Sequence, residues 1–288
     1  MESDTIKACQ ACGADLGIML DTDSDRCGFV VPKQLQPGEY EPLHRNKLIA
    51  LLGVVFARTD PGCAIVTDSV TSEGLTTFLK DLGLQHVRYL KGYANVINKA
   101  RALTESGQAF APLAIETSGH CAMEENGYLD DGTYTAVKVI SLLATERQSQ
   151  GDASCSISPL LDLINDLEEV AEIKELRMKT VDGSLETMQH LFDILSLQVE
   201  MATEHMEDWS IDTENLEGLR IRTGDSQFFM LRKSLHDPVI SLQIESRSVK
   251  HVRTRVVQPL LEILQENPTL GERLDASALQ NYSTGTTP

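Results

Sequence analysis

The first half of the chain alternates short apolar runs with longer segments of helical periodicity. The apolar runs are residues 14–20, 63–67 and 112–115, and the helical segments are 46–58, 72–84, 96–103 and 133–147. Short apolar strands that alternate with helices are typical of an α/β layer around a largely parallel sheet. The sequence therefore predicts this architecture for roughly the first 150 residues.

A different pattern begins near residue 148. Residues 148–158 are small and polar and predict a linker, and Ser158 followed by Pro159 is a helix-start signal. Beyond it the pattern predicts four strands and two helices, and it predicts a frayed polar tail from residue 277. The strands are 170–179, 219–222, 228–232 and 239–245, and the helices are 185–200 and 249–265. This order indicates an α+β domain with a small, mostly antiparallel sheet.

Composition and charge narrow the range of partners. The chain has 288 residues, 41% of them hydrophobic, and a net charge of −18. Such an acidic surface disfavours both nucleic acid and anionic membranes as partners. The six cysteines are scattered, which favours free thiols in a reducing compartment. The single C-x-x-C pair, Cys9 and Cys12, has no second pair, so we expect structural thiols on a helix.

Three carboxylates follow the first apolar run at alternate positions: Asp21, Asp23 and Asp25, with Arg26 next. Carboxylates this close repel one another unless a divalent cation binds between them, and Mg²⁺ suits a few carboxylates plus a phosphate. An EF-hand is excluded because its sixth position is Arg26 and its twelfth is Pro32. An aspartyl phosphatase that begins with D-x-D, and a solvated acidic turn, both stay open.

Two further polar segments follow predicted elements of the first half. Glu116-Thr117-Ser118-Gly119-His120 follows the third apolar run, and it offers the hydrogen-bond donors and acceptors that a sugar diol needs. Lys91-Gly92-Tyr93 precedes a helix at a strand end. A simple turn explains either segment equally well. In 129–132, Leu-Asp-Asp-Gly, we expect the acidic side chains to cap the following helix.

In the second half, residues 232–238 join two predicted strands. Arg232 offers a two-pronged donor for phosphate and Ser234 a hydroxyl, while His236 is a further donor. A cationic loop is a local exception in a chain of charge −18. A hairpin with a surface salt bridge is the alternative explanation.

These segments together resemble the α-D-phosphohexomutases, the family of phosphoglucomutase and phosphomannomutase. G-A-D-L-G-I-M-L-D-T-D-S-D-R is similar to the family's metal loop, E-T-S-G-H to its sugar loop E-x-S-G-H, and D-D-G to the segment after it. The family's phosphate loop is R-x-S-[NG]-T-E-P. Here Leu235, His236 and Asp237 depart from it, so Arg232 and Ser234 carry over best.

The resemblance implies a role for each candidate residue. Mg²⁺ would bind Asp21, Asp23 and Asp25, and Arg26 would act beside the transferring phosphoryl group. The sugar would contact Glu116, Ser118 and His120, and Lys91, Gly92 and Tyr93 would complete its site; Arg232, Ser234 and His236 would hold the phosphate that does not react. Hexose phosphates would be the substrates and hexose 1,6-bisphosphate the intermediate. Glucose or mannose preference and the oligomeric state are left open.

The resemblance also implies a domain plan. Residues 1–37 would be the end of domain II, 38–150 domain III and 151–288 domain IV. No T-A-S-H-N-P-type phosphoserine loop occurs in the 288 residues. We therefore expect a fragment that is inactive alone and whose first strand lacks neighbours, with a non-catalytic sugar-phosphate-binding protein as the alternative. A cytoplasmic or plastid location is expected, with any targeting segment lost.

Overall fold

The computed structural model describes residues 1–33, 36–150, 158–168, 170–234 and 237–285. The chain packs as two compact units, Met1–Glu168 and Glu169–Pro288. Among the described helices, none combines the length and the hydropathy that crossing a bilayer requires. The domain limits at 37 and 150 stay predictions.

The first unit contains two sheets and their helices. Its helices are α1 (Glu2–Cys12), α2 (Arg45–Thr59), α3 (Glu73–Asp81), α4 (Tyr93–Glu105), a 3₁₀ turn (Glu124–Asn126), α5 (Gly132–Gln150) and α6 (Ser158–Asp162). Its strands are β1 (Gly17–Leu20), β2 (Cys27–Pro32), β3 (Tyr40–Pro42), β4 (Ala64–Asp68), β5 (Gln85–Tyr89), β6 (Leu113–Ile115) and β7 (Cys121–Met123).

The larger sheet has the order β5-β4-β6-β7. Strand β4 pairs in parallel with β5 and with β6, whereas β7 pairs antiparallel with β6. The predicted parallel arrangement is confirmed for β4, β5 and β6, but the first apolar run, which was predicted for the same layer, forms β1 of a separate antiparallel sheet. Only the end of β5, before Lys91, was predicted, because β5 (Gln-His-Val-Arg-Tyr) is polar at most positions; β7 was not predicted, because it has only three residues.

Helices cover both faces of this sheet, which explains why β4 is buried at every position. Ile65 packs in a core with residues of α2, α3, α5 and α6, while Ala64 and Val66 pack on the opposite face against α4. A strand that is buried on both faces reads as a continuous apolar run. Helix α2 is buried on most of its sides for the same reason.

The smaller sheet, β1-β2-β3, is antiparallel throughout. Gly17 to Leu20 pair with Val30 to Cys27, and β2 pairs in turn with β3. The expectation that the strand before the metal loop lacks neighbours was wrong for one of its two edges, because the chain turns back directly after the loop. Within the described residues, the other edge of β1 has no strand partner.

The second unit is a six-stranded antiparallel sheet with helices packed on one face. The strand order is β13-β8-β12-β11-β10-β9. The strands are β8 (Glu172–Thr180), β9 (Ser210–Ile211), β10 (Leu219–Arg222), β11 (Phe228–Lys233), β12 (Val239–Ser246) and β13 (Leu274–Asp275). The helices are α7 (Leu185–Ala202), α8 (Val249–His251), a π-helical stretch (Val252–Val257), α9 (Gln258–Glu266), α10 (Pro268–Arg273) and α11 (Ser277–Thr284).

Every second residue of β12 points into the core of the second unit. Ile240, Leu242 and Ile244 pack with residues of α7 and α9. The predicted helix at 249–265 is present with a π-helical stretch inside it. The tail was predicted wrongly: residues 277–284 form α11, because Leu279 is fully buried in the core despite its polar neighbours. The linker predicted from residue 148 was wrong for residues 148–150, which belong to α5, and residues 151–157 lie outside the described residues.

Candidate functional site

Three polar segments meet at one edge of the larger sheet. Strands β4, β5 and β6 run parallel, so their carboxyl ends lie at the same edge. Asp68 ends β4, Lys91 and Gly92 follow β5, and Glu116 follows β6. The crevice outside the carboxyl ends of parallel strands is the usual place for ligands in such folds.

The metal loop brings its three carboxylates together. One oxygen each from Asp21, Asp23 and Asp25 lies within 4.8 Å of the others. Arg26 Nε donates to Asp21 Oδ2 at 2.6 Å, and Asp25 Oδ1 is a buried oxygen without a hydrogen-bond partner. Ser24 adopts a positive φ of 62°, which curves the loop tightly. Convergent oxygen ligands with one unsatisfied atom fit Mg²⁺ or Mn²⁺.

Arg26 governs the ionisation of Asp21. Partial desolvation raises the pKa of this carboxyl, but two hydrogen bonds and the charge of Arg26 outweigh it, so the pKa lies below its usual value. The carboxylate therefore stays ionised in mildly acidic solution, which a metal ligand requires.

Backbone pairing joins the metal loop to the sugar loop. Arg26 and His120 form an antiparallel bridge, and Cys27 N donates to the carbonyl of Gly119 at 3.2 Å. Gly132 N donates to the carbonyl of Ser24 at 2.9 Å. Two loops that are about a hundred residues apart in the sequence thus form one surface.

Two glycines make this close approach possible. A Cβ atom on Gly132 would lie 2.7 Å from the carbonyl carbon of Arg26, a distance that real Cβ atoms do not adopt. Gly119 has a φ of +105°, and a Cβ there would lie 3.0 Å from the carbonyl oxygen of Cys27. Larger residues at either position would push the loops apart.

Glu116 fixes the sugar loop to the Lys91-Gly92-Tyr93 segment. Its side chain is buried; Oε1 accepts from Gly92 N at 2.5 Å and Oε2 accepts from Ser118 Oγ at 2.9 Å. Gly92 has a φ of 120°, a conformation that favours glycine. These bonds organise the two segments. The contacts of Glu116 and Ser118 with a sugar stay a prediction.

His120 lies between the sugar loop and the metal loop. Its Nδ1 lies 2.7 Å from Asp130 Oδ2 and 3.6 Å from Asp25 Oδ2, and Tyr93 stacks on its ring with centroids 4.9 Å apart. Burial raises the pKa of the Asp130 carboxyl, while His120 opposes that rise. The expected helix capping holds for Asp131, whose Oδ1 accepts from Tyr134 N at 2.8 Å. It does not hold for Asp130, which bonds His120 instead.

Two residues of this region were missed in the sequence. Asp68 is fully buried; its Oδ2 accepts from the Thr117 hydroxyl at 2.6 Å and its Oδ1 has no partner. Arg45 donates from Nη1 to the carbonyl of Cys27 at 2.6 Å and lines an open cavity of about 160 Å³ beside Arg26 and Ser118. An Asp that ends an apolar strand at the carboxyl edge was a usable signal for Asp68; nothing in the sequence pointed to Arg45.

The phosphate loop belongs to the second unit. Arg232, at the end of β11, has Nη1 3.6 Å from Glu217 Oε1, and Ser234 Oγ accepts from Asp237 N at 3.2 Å. Lys233 donates to Gln189 Oε1 at 2.6 Å. Leu235 and His236 lie outside the described residues, so the predicted donor role of His236 stays a prediction. The structure places the metal loop, the sugar loop and residues 91–93 in the first unit.

Comparison with known proteins identifies the same architecture. The profile of phosphoglucomutase/phosphomannomutase, alpha/beta/alpha domain III, matches residues 44–158. A phosphomannomutase of Salmonella typhimurium is 28% identical over 262 residues, which are 90% of this chain and 50% of that protein. A phosphoglucomutase of Neisseria meningitidis is 22% identical over 268 residues, 93% of this chain and 51% of that protein.

Solved structures agree with the sequence comparison. A phosphoglucomutase/phosphomannomutase family protein from Burkholderia thailandensis superposes with a TM-score of 0.67 at 25% identity, covering 91% of this chain and 49% of that one. The chain thus spans about half the length of these relatives. Residues 44–158 match domain III of the α-D-phosphohexomutases, and the relatives along nearly the whole chain and the shared fold support the same family for the chain.

Proposed function

We propose that this chain supplies the metal, sugar and phosphate sites of a Mg²⁺-dependent phosphohexomutase that interconverts hexose 1-phosphates and hexose 6-phosphates. The observation that carries the proposal is the pairing of Arg26 with His120, which places three convergent carboxylates beside a polar loop of donors and acceptors. A metal site alone would suit many reactions. A metal site joined to a diol-binding loop suits phosphoryl transfer to and from a sugar.

Asp21, Asp23 and Asp25 would hold Mg²⁺, which would neutralise phosphoryl charge when bound. Arg26 is half-exposed and its Nε donates to Asp21, so its guanidinium group brings further N–H donors to the side of the metal loop. These donors can bind phosphoryl oxygens, which gain charge during transfer. Arg26 is therefore the residue we assign to catalysis.

The sugar would lie between the 116–120 loop and residues 91–93. Glu116 holds both segments through its two carboxylate oxygens, so the site is preformed. Ser118, His120 and Lys91 supply polar atoms, and Tyr93 is 52% exposed and offers an apolar wall. Relatives named for glucose and for mannose both match, so epimer preference is left open.

The phosphate that does not react would bind Arg232 and Ser234, with His236 as a third donor. Binding energy from this remote group positions the reacting end of the substrate. Hexose 1,6-bisphosphate would be the intermediate, because a mutase of this family transfers a second phosphoryl group before the first is removed. The substrate would reorient between the two transfers.

A second candidate is a sugar-phosphate-binding protein without turnover, because the metal, sugar and phosphate loops can bind a sugar phosphate without a phosphoserine. The aspartyl phosphatase is less favoured. Both carboxylate oxygens of Asp21, the nucleophile in that mechanism, accept hydrogen bonds from Arg26.

Calorimetry with Mn²⁺ and then glucose 6-phosphate tests the proposal. Asp23→Asn should weaken Mn²⁺ binding, and the triple Asp21, Asp23, Asp25→Asn variant should abolish it. Asp81→Asn is the matched control, because it removes the same charge at the end of α3, away from the carboxyl edge of the sheet. Mn²⁺ binding by the triple variant equal to that of the parent would exclude this loop as the metal site.

A further inference from the structure

The Asp130 side chain has two partners that belong to the sugar loop. Its Oδ1 accepts from the backbone N–H of Cys121 at 2.9 Å, and its Oδ2 lies 2.7 Å from Nδ1 of His120. The backbone bond fixes the carboxylate in place, so the second oxygen is presented to the imidazole from a rigid position. The side chains of His120 and Asp130 are each only 15% exposed, which strengthens this bond.

An ionised carboxylate can only accept hydrogen bonds, so the imidazole must donate from Nδ1. In the neutral ring, the proton on Nδ1 leaves Nε2 as an acceptor. Tyr93 stacks on the ring and holds its plane. Nδ1 also lies 3.6 Å from Asp25, which is too long for a hydrogen bond, and Asp25 belongs to the metal loop.

We propose that Asp130 is a positioning residue that fixes the Nδ1–H tautomer of His120 and so presents Nε2 as an acceptor for a hydroxyl of the bound sugar phosphate. The assignment of the hydroxyl rests on the proposed function; the assignment of the tautomer rests on the Asp130 contacts alone. The D-D-G segment thereby divides its two carboxylates between two tasks, since Asp131 caps α5.

Asp130→Asn should exchange the donor and acceptor roles of the two ring nitrogens of His120. The single oxygen of the asparagine can continue to accept from Cys121 N, and its amide then donates toward Nδ1 of His120. The ring would move its proton to Nε2, which becomes a donor and no longer matches a donating hydroxyl. The change is nearly isosteric, so the packing around the loop is retained.

Nitrogen-15 NMR of histidine side chains in mildly alkaline buffer measures the tautomer directly. His120→Gln assigns the signal. The parent should show a protonated Nδ1, and Asp130→Asn should show a protonated Nε2. The matched control is Asp131→Asn, which alters the adjacent capping carboxylate and should leave the tautomer of His120 unchanged. An Nδ1–H tautomer retained in Asp130→Asn would overturn the proposal, because Asp25 or another group would then be fixing the ring.

Glucose 6-phosphate binding by the parent, Asp130→Asn and Asp131→Asn tests the role of Nε2 toward the sugar separately from the tautomer of His120. Asp130→Asn should raise the dissociation constant about tenfold, the effect of one mismatched hydrogen bond, and Asp131→Asn should not. A changed tautomer with unchanged binding overturns the role of Nε2 toward the sugar while the tautomer assignment stands. A parent that binds no hexose phosphate overturns the proposed function, and the NMR result is independent of it.

Discussion

The buried carboxyl of Asp68 makes the stability of the first unit depend on pH. Burial raises its pKa from 3.8 to about 6, although the hydrogen bond from Thr117 opposes the rise and the charge of Glu116 adds to it. Between pH 3.8 and about pH 6, the Asp68 carboxyl keeps its proton in the folded state and loses it in the unfolded state. The stabilising contribution is therefore complete below about pH 4 and is lost as pH rises through about 6.

Asp68→Asn should remove this loss. Asparagine can still accept from Thr117 and places a neutral amide where Oδ1 has no partner. Relative to the parent, the variant should gain about 3 kcal/mol between pH 4 and pH 7, the equivalent of a shift of about two units. The single Trp, Trp209, lies in the second unit, so hydrogen exchange at β4 and β6 is the suitable measurement. A pH-independent difference would contradict the prediction.

Gly132→Ala tests whether metal binding requires the close approach of the metal loop to α5. An alanine there would normally favour a helix by about 1 kcal/mol. Its Cβ would, however, meet the backbone of Arg26 and of Ser24 at under 3 Å, and backbone cannot yield as a flexible side chain can. Gly132→Ala should therefore displace the loop and weaken Mn²⁺ binding at least about tenfold, which is about 1.4 kcal/mol.

Thr133→Ala provides the control for Gly132→Ala, because Thr133 is the next residue of α5 and its side chain is exposed. It should leave Mn²⁺ affinity unchanged in the same calorimetric titration. Equal affinities for both variants and the parent would show that the metal loop tolerates displacement from the helix start.

At the level of elements, two neighbouring strands supply opposite charges next to the phosphate loop: β11 carries Arg232, and Glu217 precedes β10. Arg232 at the end of β11 lies 3.6 Å from Glu217, just before β10, and the Arg232 side chain is 19% exposed. Arg232→Ala should weaken glucose 6-phosphate binding by about 1.5–3 kcal/mol, the scale of a charged hydrogen bond. Arg232→Lys should restore it only in part, since the ammonium lacks the planar fork.

Glu217→Gln should act in the opposite direction, because the carboxylate attracts the same guanidinium that would bind phosphate. We expect tighter binding of glucose 6-phosphate in the variant, measured by calorimetry at low ionic strength. Arg177→Ala is the control, since Arg177 is an exposed arginine on β8 of the same sheet. Weakening by Arg177→Ala equal to that by Arg232→Ala would indicate nonspecific attraction instead of a site.

The elements that the sequence predicted well are those whose burial matches their periodicity. Strand β10 begins and ends at the predicted residues, and β4 was found because both its faces are buried. The extent of strand β5 was not predicted, since the polar residues of this edge strand give no apolar pattern. Helix α11 was mistaken for a frayed tail because one buried leucine anchors an otherwise polar segment.

The residues of the candidate site also fall into those that the sequence predicted and those that only the structure showed. Asp21, Asp23, Asp25 and the 116–120 loop were recognisable as motifs, because their chemistry lies in consecutive residues. The tasks of Asp130 and Arg45 depend on contacts with residues 10 and 18 positions away in the chain. No local pattern records such contacts, so only the folded structure could show that Asp130 bonds His120 while Asp131 caps a helix.

Across the whole molecule, net charge and local charge act in opposite directions on substrate binding. A chain of charge −18 repels a phosphate dianion at long range, and this repulsion weakens as salt is added. Arg26, Arg45 and Arg232 are local cations within that field. Mg²⁺ at the metal loop would lower the local negative charge further. Binding of hexose phosphates should therefore depend on the metal more strongly than the contacts of the sugar alone would require.

The last prediction concerns turnover by the 288-residue chain itself. A phosphohexomutase must hold a phosphoryl group covalently between its two half-reactions, and the covalent carrier must be positioned and activated. Ser118 is committed to Glu116, and Ser234 accepts from Asp237 in the phosphate loop, so neither is placed as that carrier. The metal loop can stabilise charge, and we assign its three carboxylates to the metal ion.

We therefore expect binding without catalysis. The assay supplies the purified chain with Mg²⁺, glucose 1-phosphate or mannose 1-phosphate and catalytic hexose 1,6-bisphosphate, and it detects the 6-phosphate. Turnover above about one per second, low on the usual enzyme scale, would refute the prediction if Asp23→Asn abolished it. Activity that persists in Asp23→Asn would instead indicate a contaminating mutase. Activity that appears only when a polypeptide with a T-A-S-H-N-P loop is added would show that this chain supplies every part of the site except the nucleophile.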